Sequence, residues 1–105
     1  DGVTKQPYAP ASFGDTKTLS GGETLANAFH VFSLVWTSSR LTWYIDDVQY
    51  HTMAINSSAE LSAFQKEFFL IFNVAVGGRW PGSPNSNTTF PQRMLVDYVR
   101  VFQEN

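Results

Sequence analysis

Nine carboxylates, two histidines and no cysteine set the acid–base and metal chemistry open to this chain of 105 residues. The acids are Asp1, Asp15, Glu23, Asp46, Asp47, Glu60, Glu67, Asp97 and Glu104. General acid–base work by two carboxyl groups needs both aimed into one cleft, and alternate residues of a strand meet that need. No two of the nine stand at that spacing. Asp46 and Asp47 are adjacent, so on a strand they would face opposite ways; as a pair they suit a turn. Glu60 and Glu67 fall in the polar stretch "NSSAELSAFQKE". His30 and His51 have no acid cluster at ligand spacing, which leaves a zinc site without support. His30 opens an apolar segment beside Phe29 and suits a structural role. Ser33, Ser38 and Ser39 lack the Gly-x-Ser-x-Gly setting of an activated serine, and the missing cysteines remove thiolate nucleophiles and disulfides.

Binding chemistry has better candidates. "FFLIFNVAVGGRWPGSPNSNTTFPQ" starts as an apolar run and ends as a polar loop, with Trp80 set in Gly-Gly-Arg-Trp-Pro-Gly. Two roles fit Trp80: a platform for the flat face of a ligand, or an anchor for the loop. Asn73 stands inside the apolar run, where a buried amide must find partners or cost several kcal/mol. It either ties neighbouring backbone or faces a wet cleft, and the small side chains of Val74 and Ala75 suit the cleft. Arg79 could hydrogen-bond ligand hydroxyls or be solvated. Asp97 interrupts the apolar face of Leu95, Val99 and Val101, where a lone carboxylate wants a cation or a donor.

The elements that must position these residues read as strands. "FHVFSLVW" places Phe32, Leu34 and Trp36 on one face, with Val31, Ser33 and Val35 on the other. "SSR" turns into "LTWYID", and "DD" leads into "VQYHTM", a hairpin ladder with aromatics at alternate positions. Trp36, Trp43, Tyr44 and Tyr50 suit core and cross-strand pairs. "KTLS" before "GGE" reads as a short strand, "FFLIFNVAV" as a strand buried on both faces, and "RMLVDYVRVF" as the last strand. Residues 1–15 are irregular, and residues 56–67 are loop with room for one helical turn. The loop from Gly77 to Pro91, of about 15 residues, is long enough to suggest function. The predicted architecture is all-β, an antiparallel β-sandwich of five to six strands, in one domain over 1–105.

Composition narrows the partners. The chain is 43% hydrophobic and 15% aromatic, which argues against disorder. A net charge of −2 with no basic cluster points away from nucleic acid and from anionic membrane surfaces. No stretch approaches the roughly 20 apolar residues of a membrane-spanning helix.

Three segments together carry a family resemblance: "W-Y-x-D-x-x-x-Y" within "FHVFSLVWTSSRLTWYIDDVQYHT", "N-x-A-V-G-G-x-W-P-G", and "V-D-Y-V-R-V". In this order and spacing, over about residues 17–105, the chain resembles the laminarinase-like branch of glycoside hydrolase family 16, retaining endo-β-1,3-glucanases with a jelly-roll, concanavalin-like fold. The resemblance implies that the chain is the C-terminal half of such a jelly roll. The family's catalytic Glu-x-Asp-x-x-Glu strand lies upstream of every quoted segment, and no catalytic residue is expected here. Retaining glycosidases hold two carboxyl groups about 5–5.5 Å apart. By the same resemblance Trp80 lines the glucan cleft; Asn73 and Arg79 are candidate substrate contacts on the residue reading given above. Asp97 marks a possible structural calcium whose other ligands come from the N-terminal part, and no cofactor is required. The implied partners are a laminarin-type β-1,3-glucan oligosaccharide and the N-terminal half of the same enzyme or a second copy; the implied location is secreted, extracellular. Two alternatives stand beside a hydrolase: a non-catalytic β-glucan-binding module, and a structural fragment completed by another chain. Asn56-Ser57-Ser58 and Asn87-Thr88-Thr89 also fit the N-glycosylation sequon, a short motif of little weight alone.

Overall fold

The computed structural model describes residues 17–58, 61–79 and 81–104. The irregular segment expected over 1–15, and Trp80 itself, lie outside the described residues. The chain divides between Phe68 and Phe69 into two compact units.

The first unit is built on an antiparallel meander of three strands in the order β1-β2-β3. These are β1 (Phe32–Trp36), β2 (Arg40–Ile45) and β3 (Val48–Ala54). The aromatic and β-branched alternation predicted this ladder, and the register makes its logic plain. Phe32 stands opposite Ile45, Leu34 opposite Trp43 and Trp36 opposite Leu41, so one face collects the large apolar side chains. β2 is central and therefore best covered: Leu41 and Ile45 are buried, as is Ile55 just past β3. On the opposite face the buried Thr42 hydroxyl lies 3.2 Å from the Thr52 hydroxyl, which in turn reaches the Leu41 carbonyl at 3.3 Å. A polar group taken from water is thus satisfied locally.

Both hairpin turns follow from their residues. Asp46 (φ 49°) and Asp47 (φ 64°) form the two-residue turn between β2 and β3, and positive φ at both positions matches the twist of the flanking strands. Asp tolerates this backbone better than most L-residues, because its short side chain bonds locally. The β1–β2 turn is closed by Thr37, whose hydroxyl accepts the Arg40 N–H at 3.0 Å and the Ser39 N–H at 3.3 Å. A bulge follows Trp43: Trp43 faces His51, Tyr44 faces Gln49, and Tyr50 is the extra residue between them.

The polar segment after β3 contains one 3-10 turn, Ser62–Gln65, as the sequence allowed. It is tied to the sheet from both sides. Gln65 Nε2 donates to the Ser38 carbonyl at 2.9 Å, and Trp36 Nε1 donates to the Phe64 carbonyl at 3.0 Å. The edge of the Trp36 ring meets Phe68 at 5.4 Å between centroids.

Three expectations need correction. "KTLS" forms no strand; the chain there passes into a 3-10 turn at Ser20–Gly22, where the paired glycines adopt positive φ. "FFLIFNVAV" and "RMLVDYVRVF" are not strands among the described residues, so the sheet holds three strands rather than five or six. Both runs are instead laid open to solvent, with Phe69 82% and Val101 83% exposed. The reason is physical: a strand exists only through a ladder partner for its N–H and C=O groups, and neither run has one among the described residues. Asn73 is accordingly exposed, not buried.

Candidate functional site

The loop after Asn73 is fixed by its own backbone. Gly78 (φ 126°) and Gly82 (φ 80°) occupy conformations that L side chains rarely adopt, which is why this stretch needs glycine. The Gly82 N–H donates to the Gly78 carbonyl at 3.0 Å and closes the loop at its neck. Further along, Asn85 organises a tight turn: its carbonyl accepts the Thr88 N–H at 2.9 Å and its side chain accepts the Asn87 N–H at 2.9 Å. The Thr88 hydroxyl returns the contact by accepting the Asn85 N–H at 3.0 Å. Gln92 then pins the loop's exit, donating from Nε2 to the Thr89 carbonyl at 2.7 Å and to its hydroxyl at 3.1 Å.

These turns enclose an open cavity of about 270 Å³ between the segment Val74–Gly77, the prolines Pro81 and Pro84, and Phe90. Asn73 directly precedes this wall and Arg79 lies between Gly77 and Pro81, yet neither side chain lines the cavity. Both are exposed, and Arg79 forms no ion pair among the described residues. Trp80 belongs to the same loop by sequence and lies outside the described residues. Asp97 is exposed and away from the cavity lining. No group of three or more His, Asp or Glu among the described residues could hold a metal ion, so Asp97 alone does not make a calcium site.

A second polar cluster escaped the reading of the sequence. Asp46 clasps the entry to β1: its Oδ2 lies 2.6 Å from His30 Nδ1, and its Oδ1 accepts the Val31 N–H at 3.0 Å. The Asp46 N–H donates to the Val31 carbonyl at 2.9 Å, which continues the β1–β2 ladder by one residue. The hydrogen bond from His30, with that from Val31, holds the Asp46 carboxyl below the usual carboxylate range. With Nδ1 placed to donate, His30 Nε2 is left buried without a hydrogen-bond partner among the described residues. The signal was available in the register: extending the Phe32–Ile45 pairing by one step puts the turn acid beside Val31. The clasp holds a strand end, and with one carboxylate it offers no acid–base pair.

Among the described residues no helix is long and apolar enough to cross a membrane.

Comparison with known proteins gives the cavity and hairpin a context. A stretch of 77 residues is 39% identical to the clotting factor G alpha subunit of Tachypleus tridentatus, covering 72% of this chain and 11% of that protein. Over 107 residues the chain is 37% identical to glucan endo-1,3-beta-glucosidase A1 of Niallia circulans, covering 93% of this chain and 15% of the relative. The beta-glucanase of Rhodothermus marinus is 34% identical over 87 residues, or 76% of this chain and 30% of its own length. The chain thus spans between about a tenth and a third of these relatives. No solved structure matches it. The model of the glycosyl hydrolases family 16 matches residues 2–100, and so runs through both the hairpin meander and the Gly-Pro loop. With that match, an all-β chain with these three motifs belongs to glycosyl hydrolases family 16, a family of jelly-roll β-sandwiches.

Proposed function

We propose that this chain is the C-terminal part of a β-1,3-glucan hydrolase, a retaining endo-glycosidase, and that it supplies cleft-wall residues rather than the reacting groups. The observation that carries this reading is a mismatch within the chain itself. The family match spans nearly all of it, while no two of its acids stand at the alternate positions by which one strand would aim a retaining pair into a cleft. Among the described residues the one acid fixed by hydrogen bonds, Asp46, is committed to a strand end. Among the relatives, those of Niallia circulans and Rhodothermus marinus are named as glucan hydrolases, which supports a β-1,3-glucan as ligand.

On this reading the exposed runs "FFLIFNVAV" and "RMLVDYVRVF" are strands waiting for neighbours. The N-terminal half of the enzyme is the favoured neighbour and a second copy is the alternative, because only the former also brings a catalytic strand. Trp80 on its Gly-Pro rim stacks on sugar C–H faces, with Asn73 and Arg79 as hydroxyl partners. A polymeric glucan substrate goes with a secreted protein. Calcium at Asp97 would need oxygen ligands from outside the described residues. A non-catalytic β-glucan-binding module is the second reading, favoured by the same lack of paired carboxylates.

The test is laminarin hydrolysis by the chain alone and by the chain co-produced with an upstream family fragment. The chain alone should be inactive and the complex active. Glucan binding without hydrolysis in the complex selects the binding module. Hydrolysis by the pure chain, or a soluble, well-protected monomer at high concentration, defeats the half-sandwich reading.

A further inference from the structure

We propose that Asn56 is an attachment site for an N-linked glycan and that Asn87, in the second sequon, is not. The inference rests on the secreted reading above and is independent of the glucan that the protein takes. Asn56-Ser57-Ser58 and Asn87-Thr88-Thr89 both carry the Asn-x-Ser/Thr pattern, and both are exposed. Neither motif nor exposure chooses between them. Local hydrogen bonding does.

At Asn56 the groups that the modification uses are open. The side-chain Oδ1 accepts the Ser58 N–H at 2.8 Å, which fixes the carboxamide, because Nδ2 cannot accept from an N–H. Nδ2 therefore lies on the other side of Cγ, and it makes no hydrogen bond among the described residues. The Ser58 carbonyl accepts the Leu61 and Ser62 N–H groups at 3.1 and 2.8 Å, but its hydroxyl is unengaged among the described residues. The sheet ends just before this point: Ile55 is buried, and its N–H donates to the Ser39 carbonyl at 2.9 Å. A bulky glycan on Asn56 thus leaves the strand pairing in place.

The second sequon is bound up in its own turn. The Asn87 N–H donates to the Asn85 side chain at 2.9 Å, and the Thr88 N–H to the Asn85 carbonyl at 2.9 Å. Thr89 is held twice by Gln92, whose Nε2 donates to its carbonyl at 2.7 Å and to its hydroxyl at 3.1 Å. These bonds join near neighbours in sequence, so they form within the segment itself, before distant parts of the chain are in place. An enzyme that reads the Thr89 hydroxyl must first displace Gln92.

The step joins Asn56 Nδ2 to C1 of an oligosaccharide carried on a lipid diphosphate. The C1–O bond to the diphosphate breaks, and the lipid diphosphate leaves with the electron pair. The amide gives one proton to a base of the transferase.

The test uses the full chain, co-produced with the upstream fragment behind a secretory leader in a glycosylating eukaryotic host. Tryptic peptides 41–66 and 80–93 separate the two sequons. Amidase release of a glycan leaves Asp in place of Asn, which peptide mass spectrometry reads. Wild type should be occupied at Asn56 and nearly bare at Asn87. Ser58→Ala keeps the backbone turn and should leave Asn56 bare, while Ser58→Thr should preserve the glycan. Gln92→Leu should raise occupancy at Asn87 about 2- to 10-fold, the worth of one net hydrogen bond. A bare Asn56 in the secreted wild type, or equal occupancy at the two sites, overturns the proposal. An unchanged Asn87 in Gln92→Leu removes the hydrogen-bond basis for the choice, and the proposal with it. The supplied leader keeps the two readings apart. A bare Asn56 counts against the attachment site and not against secretion, which fails instead if the natural protein is retained inside its cells.

Discussion

Phe69→Ala should reveal whether the apolar runs are interface. Phe69 is 82% exposed and lies outside the hairpin meander, so truncating it leaves the sheet's contacts intact. In the free chain the substitution should be silent, within about 0.5 kcal/mol, as for surface positions generally. In the completed sandwich the same ring would be covered. A phenylalanine buries on the order of 200 Å², and the exposed fraction of that area, at about 25 cal/mol per Å², comes to about 4 kcal/mol. Part of the side chain survives as Cβ and cover at an interface is incomplete, so about 2–4 kcal/mol is expected, or roughly 30- to 1,000-fold in affinity for the upstream fragment. The assay is fragment titration of wild type and Phe69→Ala by calorimetry, with far-ultraviolet circular dichroism of the free chain as the control. Equal affinities would show that this run is not covered by the fragment, and the half-sandwich argument would lose its main support.

Three further outcomes follow from the same geometry. Asp47→Gly should stabilise the hairpin by about 0.5 kcal/mol in urea, because φ 64° suits glycine and Asp47 makes no hydrogen bond among the described residues; a loss would reveal a partner for its carboxylate. Asp46→Asn keeps the turn but removes the charged acceptor, leaving at most a neutral amide–imidazole hydrogen bond to His30. The Asp46 carboxyl is held below its ordinary value of 3.8, so its stabilisation is full above that value and fades as the pH falls through the lowered one; the variant should be less stable at neutral pH and have a flatter acid limb in a pH-dependent melting series. Trp80→Ala should weaken laminari-oligosaccharide binding by about 1–3 kcal/mol in the complex with little change in melting temperature; the reverse pattern would make Trp80 a loop anchor.

The hairpin meander was legible because each of its signals is local. Alternating aromatics in "FSLVW" and "LTWYI", an Asp pair at the turn, and a polar stretch too weak for more than one helical turn all depend on near neighbours. The two apolar runs were misjudged for the opposite reason. Apolar residues on both faces report a demand for cover, not its fulfilment. Asn73 inherited that error, since its burial was inferred from Phe72 and Val74, themselves 55% and 56% exposed. The His30–Asp46 clasp went unseen because the two residues are far apart in sequence and meet only once the β1–β2 register is fixed. "KTLS" was too short to set against two following glycines that favour positive φ.

The contrast between the units bears on how binding would arise. In the meander the three strands satisfy one another's backbone groups and the turns close on their own side chains, although Phe32, Leu34 and Trp36 remain exposed on its apolar face. The second unit has tight local turns around Asn85 and Gly78–Gly82, but its apolar runs lack ladder partners among the described residues. One wall of the cavity, Val74–Gly77, is the end of such a run and the glycine that follows it. Loop and wall therefore differ in kind: the loop is held by its own hydrogen bonds, while the wall is straightened only by whatever pairs with it. Association and sugar binding would then be linked, because a partner that orders the wall lowers the ordering cost left for the ligand. By thermodynamic reciprocity, saturating laminari-oligosaccharide should tighten the fragment complex by the same factor that the fragment tightens sugar binding.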